Sequence, residues 1–149
     1  MPDRRRRSLS CRRLLPVVLL AALTGCAAGT ALATSATVDG AWELVASRAY
    51  RGDSLLYEVR PPQVRAIKVL SGGRFSYVTA RQDGSLVRAG AGRYLVAGTT
   101  YTETLDLASA DPMRGRSYPF TMRIENGVWH HGGAVEGVRL EEEWRRAGP

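Results

Sequence analysis

The sequence predicts an all-β protein, an antiparallel up-and-down meander that closes into a barrel of about eight to ten strands. From Asp39 onward, apolar and polar residues alternate with the period of two that half-buried strands show. Turn signals rich in glycine, asparagine and proline separate the alternating runs, and no long helical repeat interrupts them. A meander of this size leaves the fewest open edges when its first and last strands pair, which favours a barrel.

The N-terminal half of the domain supplies four strands. In the first, Trp42, Leu44 and Ala46 lie on one face, because successive side chains of a strand point to opposite faces. Pro61-Pro62 end the second strand, and Ser71-Gly72-Gly73 make the turn into the fourth. These strands are predicted over residues 42–47, 55–60, 67–70 and 75–79.

The C-terminal half begins with a looser, glycine-rich segment that starts at Asp83-Gly84. Further along, Asn126-Gly127 is a strong hairpin signal. The segment from Arg139 to Arg146 also suits a helix by composition, but a strand is favoured because its β-rich neighbours must pair with it. The strands of this half are predicted over residues 93–96, 101–107, 120–124, 128–131 and 138–145.

Gly40-Ala41-Trp42, at the head of the first strand, resembles the Gly-x-Trp signature of lipocalins. The similarity continues in order along the chain and extends to the bacterial lipocalin-like domain proteins, a secreted group; the matching stretches are Ile67-Lys68-Val69-Leu70, Gly92-Arg93-Tyr94, Gly115 to Phe120 and Gly137 to Trp144. The resemblance implies a lipocalin-like barrel with a binding role, and it transfers no catalytic residue. It also implies that Trp42 plugs one end of the barrel beneath an arginine of the last strand, Arg139 or Arg145.

Residues 1–25 are typical of a bacterial lipoprotein signal peptide. Six arginines precede an apolar run from Leu14 to Leu23, which is shorter than the about 20 residues that span a bilayer. Leu23-Thr24-Gly25-Cys26 resembles the lipobox, in which the cysteine thiol receives a diacylglyceryl group and cleavage occurs before it. Ala31-Leu32-Ala33 leaves ordinary secretion open, with cleavage near Ala33.

The remaining chain divides into a flexible tether, residues 26–38, and one domain, residues 39–147. The net charge of +7 falls to +2 beyond residue 25, so bulk charge does not predict a nucleic-acid partner. Because both cysteines, Cys11 and Cys26, precede the domain, a disulfide within it is excluded. A lipid on Cys26 predicts a membrane-anchored outer-membrane lipoprotein that faces the periplasm, and a soluble periplasmic or secreted form is the alternative.

The alternation that starts at Trp42 predicts an inward set of residues around one cavity. Most are aromatic or apolar and a few are polar, as in small-molecule sites. The candidates are Tyr57, Phe75, Tyr77, Tyr94, Tyr101, Glu103, Met122, His130 and Glu142, with Trp144 as a further inward residue. His130 and His131 point to opposite faces and cannot share a metal ion without a bulge, so neither a metal nor a cofactor is predicted.

Glu103 has two interpretations. Either it lies near a barrel mouth and pairs with Arg93 or Arg123, or it is buried and binds a ligand hydroxyl or amine. In the second case burial without a partner would raise its pKa.

The leading functional hypothesis is a lipocalin-like barrel that binds a small apolar or amphipathic ligand for carriage or sequestration. One alternative is a filled barrel that serves as an envelope interaction or structural protein. A second alternative is an isomerase or cyclase that uses Glu103, Tyr101 or His130 as acid or base. Common catalytic motifs are missing from the sequence, and this favours binding over catalysis.

Overall fold

The computed structural model describes residues 37–148, which form nine antiparallel strands in one sheet. Eight of them close into a barrel, because β1 pairs with β9, and β2 is an additional strand on β1. The predicted all-β meander and its closure are confirmed. The strands are β1 (Gly40–Arg51), β2 (Ser54–Val59), β3 (Val64–Ser71), β4 (Arg74–Arg81), β5 (Leu86–Ala97), β6 (Thr100–Ala108), β7 (Ser117–Glu125), β8 (Val128–Val135) and β9 (Val138–Arg146).

Short hairpin turns connect most neighbouring strands. Asn126 and Gly127 both have positive φ, 51° and 78°, which is the geometry of the tight turn predicted between β7 and β8. The exception is a single turn of 3-10 helix, Asp111–Met113, between β6 and β7. Within residues 37–148, no helix is long and apolar enough to cross a membrane.

β1 organises the closure because it pairs along both edges. One edge pairs with β9 over almost the whole strand, while the other pairs first with β3 and then with β2. A register shift lies between Leu44 and Ala46 in the β9 pairing. Ala46 is fully buried, but after this bulge the interior positions pass to Ser47 and Ala49, so the predicted regular alternation does not continue beyond Leu44.

β5 begins earlier than the sequence predicted. Gly90 and Gly92, which suggested a looser segment, lie within the strand and are both buried. Side chains from the neighbouring strands fill the space that these glycines leave: a Cβ atom on Gly90 would stand 2.6 Å from Leu105 and 2.7 Å from Tyr77. The segment at Arg139 to Arg146 is a strand, as favoured.

The end of the barrel where β1 begins is closed by Trp42, which is 1% exposed. Its indole nitrogen donates to the Val38 carbonyl at 2.7 Å, and the Arg146 guanidinium carbon lies 4.0 Å from a ring centroid. The prediction that Arg139 or Arg145 covers Trp42 was wrong. The β1–β9 register places Arg146 opposite Trp42, whereas Arg145 pairs with Glu43 and Arg139 stacks on Tyr50 near the other end.

Candidate functional site

The barrel encloses a cavity of about 380 Å³ on the side away from Trp42. Its walls are largely aliphatic and aromatic, and it reaches the surface beside Tyr57 and Arg81, which line it and are exposed. The other lining residues are Leu44, Ser47, Val59, Val64, Ala66, Lys68, Tyr77, Thr79, Val87, Arg88, Glu103, Met113, Tyr118, Phe120, His131, Val135, Leu140, Glu142 and Trp144.

Five predicted inward residues line this cavity: Tyr57, Tyr77, Glu103, Glu142 and Trp144. Phe75 and Tyr101 are buried in the packed core and are not lining residues. Tyr94 bonds through its hydroxyl to Asp39, which precedes β1 at the closed end. Met122 packs against the core without lining the cavity. The predicted inward set is therefore spread over two levels, a packed floor and an open chamber above it.

The prediction for His130 was wrong, and its neighbour takes the inward position. His131 is buried and lines the cavity, whereas His130 borders a groove on the outer surface together with Arg48 and Glu143. The neighbouring Trp129 could have corrected this prediction. A large aromatic residue such as Trp129 is expected to face inward, as it does here with 0% exposure, and residues two apart on a strand share a face, so His131 faces inward as well.

Glu103 is buried on the cavity wall and pairs with Lys68. The Lys68 ammonium lies 2.7 Å from Glu103 Oε1, and the Tyr101 hydroxyl donates to the same oxygen at 2.9 Å. Burial, and then the Glu103 charge, raise the pKa of Tyr101, so its hydroxyl stays protonated as a donor. The other Glu103 oxygen has no hydrogen-bond partner within residues 37–148, which leaves it available to a ligand.

The predicted pairing of Glu103 with Arg93 or Arg123 was wrong. Arg93 points outward and binds Asp106, and Arg123 binds Glu125. Lys68 is absent from the predicted inward residues, and a lysine on a strand usually faces water. Yet β3 alternates regularly, and the burial of Ala66 and Leu70 on either side fixes Lys68 on the interior face.

Four aromatic rings surround the Lys68 ammonium. The nitrogen lies 4.9 Å from a Trp144 ring centroid, 5.4 Å from Trp129 and 5.8 Å from each of Tyr77 and Tyr101. Ring faces attract cations, and this attraction grows where water is excluded. Lys68 is thus held by one carboxylate and by aromatic faces, and its remaining hydrogens have no other acceptor among the hydrogen bonds of residues 37–148.

A second polar cluster joins His131, Glu142 and Trp144 across β8 and β9. His131 Nε2 lies 2.8 Å from Glu142 Oε2, and Trp144 Nε1 donates to that oxygen at 3.1 Å. Burial, helped by the Lys68 charge, lowers the pKa of His131. Burial alone would raise the pKa of Glu142, but the bonds from His131 and Trp144 and the Lys68 charge lower it to about 2. The cluster is therefore a neutral imidazole that donates to an ionised carboxylate.

Acid is expected to destabilise the barrel through this cluster. The pKa of Glu142 rises from about 2 in the folded chain to 4.5 on unfolding, so its stabilisation is complete above about pH 4.5 and is lost toward pH 2. At about 1.4 kcal/mol per pKa unit, the loss is roughly 3 kcal/mol. The lowered pKa of His131 acts in the same direction, and its contribution begins to be lost as the pH falls below 6.5.

Urea unfolding measured at neutral pH and at several acid values would test this dependence. Glu142→Gln should flatten the acid part of the profile, while the control Glu141→Gln, which alters an exposed carboxylate paired with Arg139, should leave it unchanged. Equal acid slopes for the wild type and Glu142→Gln would contradict the assignment.

Arg88 is a cation of the cavity wall that the sequence did not reveal. It shares the interior face of β5 with Gly90 and Gly92, and no acidic side chain among residues 37–148 forms an ion pair with it. In strand order it lies nearer the mouth than Lys68, because Lys68 pairs with Tyr77 and Arg88 pairs with Thr79. The chamber therefore has cationic groups at two successive inward levels of the sheet.

Of the acid–base residues suggested for an isomerase or cyclase, only Glu103 lies on the cavity wall. His130 lies outside the barrel, and Tyr101 is fully buried with its hydroxyl bonded to Glu103. Within residues 37–148, no group of three or more His, Cys, Asp or Glu side chains is placed to hold a metal ion.

No protein-family model matches the sequence, and no curated protein matches it. Among solved structures, a mutant of the fluorescent protein UnaG is similar with 11% identity and a TM-score of 0.39, over 75% of this chain and 97% of that chain. The predicted signal peptide, the predicted lipobox cysteine Cys26 and most of the predicted tether lie outside the described residues.

Proposed function

We propose that the barrel binds a small apolar or amphipathic ligand in its interior, for carriage or sequestration. The observation that carries this proposal is the cavity of about 380 Å³, a size within the range of about 300–1,000 Å³ of small-molecule sites. Such sites combine an apolar lining with a few polar groups at fixed positions. The chamber has this composition, with Leu44, Ala66 and Leu140 among its apolar walls and Lys68 and Glu103 among its polar groups.

An amphipathic ligand suits the chamber because its polar groups lie at defined depths. The Lys68–Glu103 pair and the free Glu103 oxygen offer hydrogen-bonding atoms at the inner level, and Arg88 offers a guanidinium nearer the mouth. Aliphatic side chains such as Leu44, Ala66 and Leu140 line the rest of the chamber, so an apolar segment of the ligand would be buried against them.

Filling the cavity tests the binding proposal. Ala66 is buried on the wall, and Ala66→Phe should weaken ligand binding at least about tenfold by occupying the chamber. Ile67→Phe is the matched control, because Ile67 is the next residue and its side chain is exposed on the outer face. Binding would be followed in the full chain through the tryptophan fluorescence, to which Trp144 on the cavity wall contributes, with decanol as the probe.

Native mass spectrometry after incubation with a lipid and metabolite extract would then name the ligand class. A stoichiometric adduct that Ala66→Phe abolishes and Ile67→Phe retains would support the proposal. A wild-type chain that takes up neither decanol nor any extract component would overturn it.

A wild-type chain that binds no small molecule would favour the second candidate, an envelope interaction protein. Its specific support is an apolar area on the outer face of β3 and β4, where Ile67 and Val78 are cross-strand neighbours and both are about half exposed. Val69 extends this area along β3. Exposed apolar areas of this kind are typical of partner-binding surfaces when they are contiguous.

Export and lipid anchoring through Cys26 complete the proposal, and they rest on the sequence of residues 1–26 alone. In this arrangement the barrel is tethered to the outer membrane and faces the periplasm. Mass spectrometry of the N-terminal peptide from cells would show a lipidated Cys26, which Cys26→Ser would abolish. A mature N-terminus just after Ala33 would instead establish a soluble periplasmic or secreted protein.

A further inference from the structure

Lys68 is the single lysine of the sequence; the other 20 of its 21 basic residues are arginines. Those arginines supply the ion pairs of the barrel surface, for example Arg74 and Arg93 with Asp106. The one primary amine of a side chain is therefore found at a buried position, 3% exposed, on the wall of the ligand cavity. An arginine could supply the same positive charge, but a guanidinium keeps its proton, whereas a lysine can release it and act as a nucleophile.

The surroundings of Lys68 provide a proton acceptor, a site largely shielded from water and space for a second reactant, which are the requirements for a reaction at the amine. Glu103 Oε1 lies 2.7 Å from the nitrogen and can accept a proton from it, and Tyr101 donates to the same oxygen and holds the carboxylate in place. Aromatic rings around the nitrogen exclude water, which favours condensation because water is a product. The open side of the cavity provides room for a second reactant.

We propose that the ε-amino group of Lys68 forms a reversible imine with an aldehyde ligand held in the barrel cavity. This inference rests on the proposed binding function and specifies the chemical class of the ligand. The aldehyde carbon lies at the inner level of the chamber, and its apolar chain extends along the aliphatic wall toward the mouth.

The reaction balances without any further reagent. The Lys68 ammonium passes a proton to Glu103, and the amine lone pair forms a bond to the aldehyde carbon as the carbonyl π bond opens. A proton moves from nitrogen to oxygen and gives a carbinolamine. Glu103 then returns its proton to the hydroxyl group, which leaves as water as the carbon–nitrogen double bond forms. The product is a protonated imine with the ionised Glu103 as its counter-ion, so the site holds the same charges before and after.

Reductive trapping tests this chemistry in the full chain. Decanal with cyanoborohydride should add one decyl group to Lys68, which peptide mass spectrometry distinguishes from the N-terminal amine. In the folded protein we expect Lys68 to react at least about tenfold faster than the same residue in urea, because the cavity holds the aldehyde beside the amine. A lysine that is merely buried would react more slowly in the folded state than in urea, and that result would overturn the proposal.

Two controls separate the imine from the binding function. Decanol cannot form an imine, so it should compete with decanal and change the tryptophan fluorescence without modifying the protein. Ile67→Phe, whose side chain lies on the outer face, should bind decanol and form the Lys68 adduct with decanal as the wild type does, whereas Ala66→Phe should lose both. If decanol binds and Lys68 stays unmodified, the imine is refuted and the binding function stands; if neither probe binds, both proposals fail.

Discussion

Replacing Lys68 by methionine is expected to lower the free energy of unfolding by about 3–5 kcal/mol, because the Glu103 carboxylate would remain buried without its cation. The side chains of the pair are only 4% and 7% exposed, so bulk water solvates the unpaired carboxylate poorly. Methionine fits the aliphatic part of the lysine side chain, and the loss would therefore report mainly on the unpaired charge. Urea unfolding followed by circular dichroism provides the measurement.

The double variant Lys68→Met/Glu103→Gln is expected to recover most of this loss. Removing both charges of a buried pair is often nearly neutral, and a glutamine oxygen can still accept the hydrogen bond from Tyr101. The matched control is Arg74→Met, which breaks an exposed pair with Asp106 and should cost at most about 1 kcal/mol. A Lys68→Met loss no larger than that of Arg74→Met would show that the Lys68–Glu103 pair is solvated, and it would weaken the case for amine chemistry at this position.

The stability of Lys68→Met/Glu103→Gln relative to the wild type also indicates whether the Lys68–Glu103 pair serves stability or ligand binding. A buried ion pair is a weak source of stability, because the cost of removing two charges from water offsets most of their attraction. If the neutral double variant is as stable as the wild type, stability does not explain why an ionisable amine occupies the cavity wall. The retained charge pair then points to a role toward the ligand.

The sequence was sufficient to predict the number and order of the strands and the closure of the sheet, although not every strand boundary. Alternation and turn residues depend on local chain geometry, and the Asn126-Gly127 hairpin shows how directly they determine structure. The inward position of Trp42 followed from the same alternation. These features depend on neighbours in the chain, so they can be read without knowing which strands meet.

The composition of the candidate site was harder to predict, because it depends on register. The bulge after Leu44 changes which residues of β1 face inward, and Val45 at that point fits either face. The choice among Arg139, Arg145 and Arg146 over Trp42 is likewise fixed only by the β1–β9 pairing.

Single polar residues were the least predictable part of the site. Lys68 and Arg88 follow the alternation of their strands, but charged residues on a strand ordinarily indicate its outer face. For Lys68 a compositional signal existed, since one lysine among so many arginines marks an unusual position. For Arg88 the adjacent glycines concealed the strand itself, and with it the inward direction.

Gly92→Ala is expected to destabilise the barrel by about 3 kcal/mol or more, because a Cβ atom at this position would lie 1.9 Å from the Thr104 carbonyl oxygen. The register of β5 and β6 shifts between Ala91 and Gly92, so the two backbones approach closely where Gly92 faces Leu105. An alanine could be accepted only if the two strands separated, and this would disturb the packing of Phe75 and Leu105 below the ligand cavity.

Gly132→Ala is the graded control for Gly92→Ala. Its Cβ atom would lie 3.3 Å from the Leu140 carbonyl oxygen, a close contact that a shift of a few tenths of an ångström relieves. We expect a cost of at most about 1 kcal/mol there, within the ordinary range for single substitutions. Urea unfolding of both variants would decide the matter. Equal stabilities for Gly92→Ala and Gly132→Ala would contradict the close approach of β5 and β6 at Gly92. The core beneath the cavity would then be less tightly packed than the strand pairing indicates.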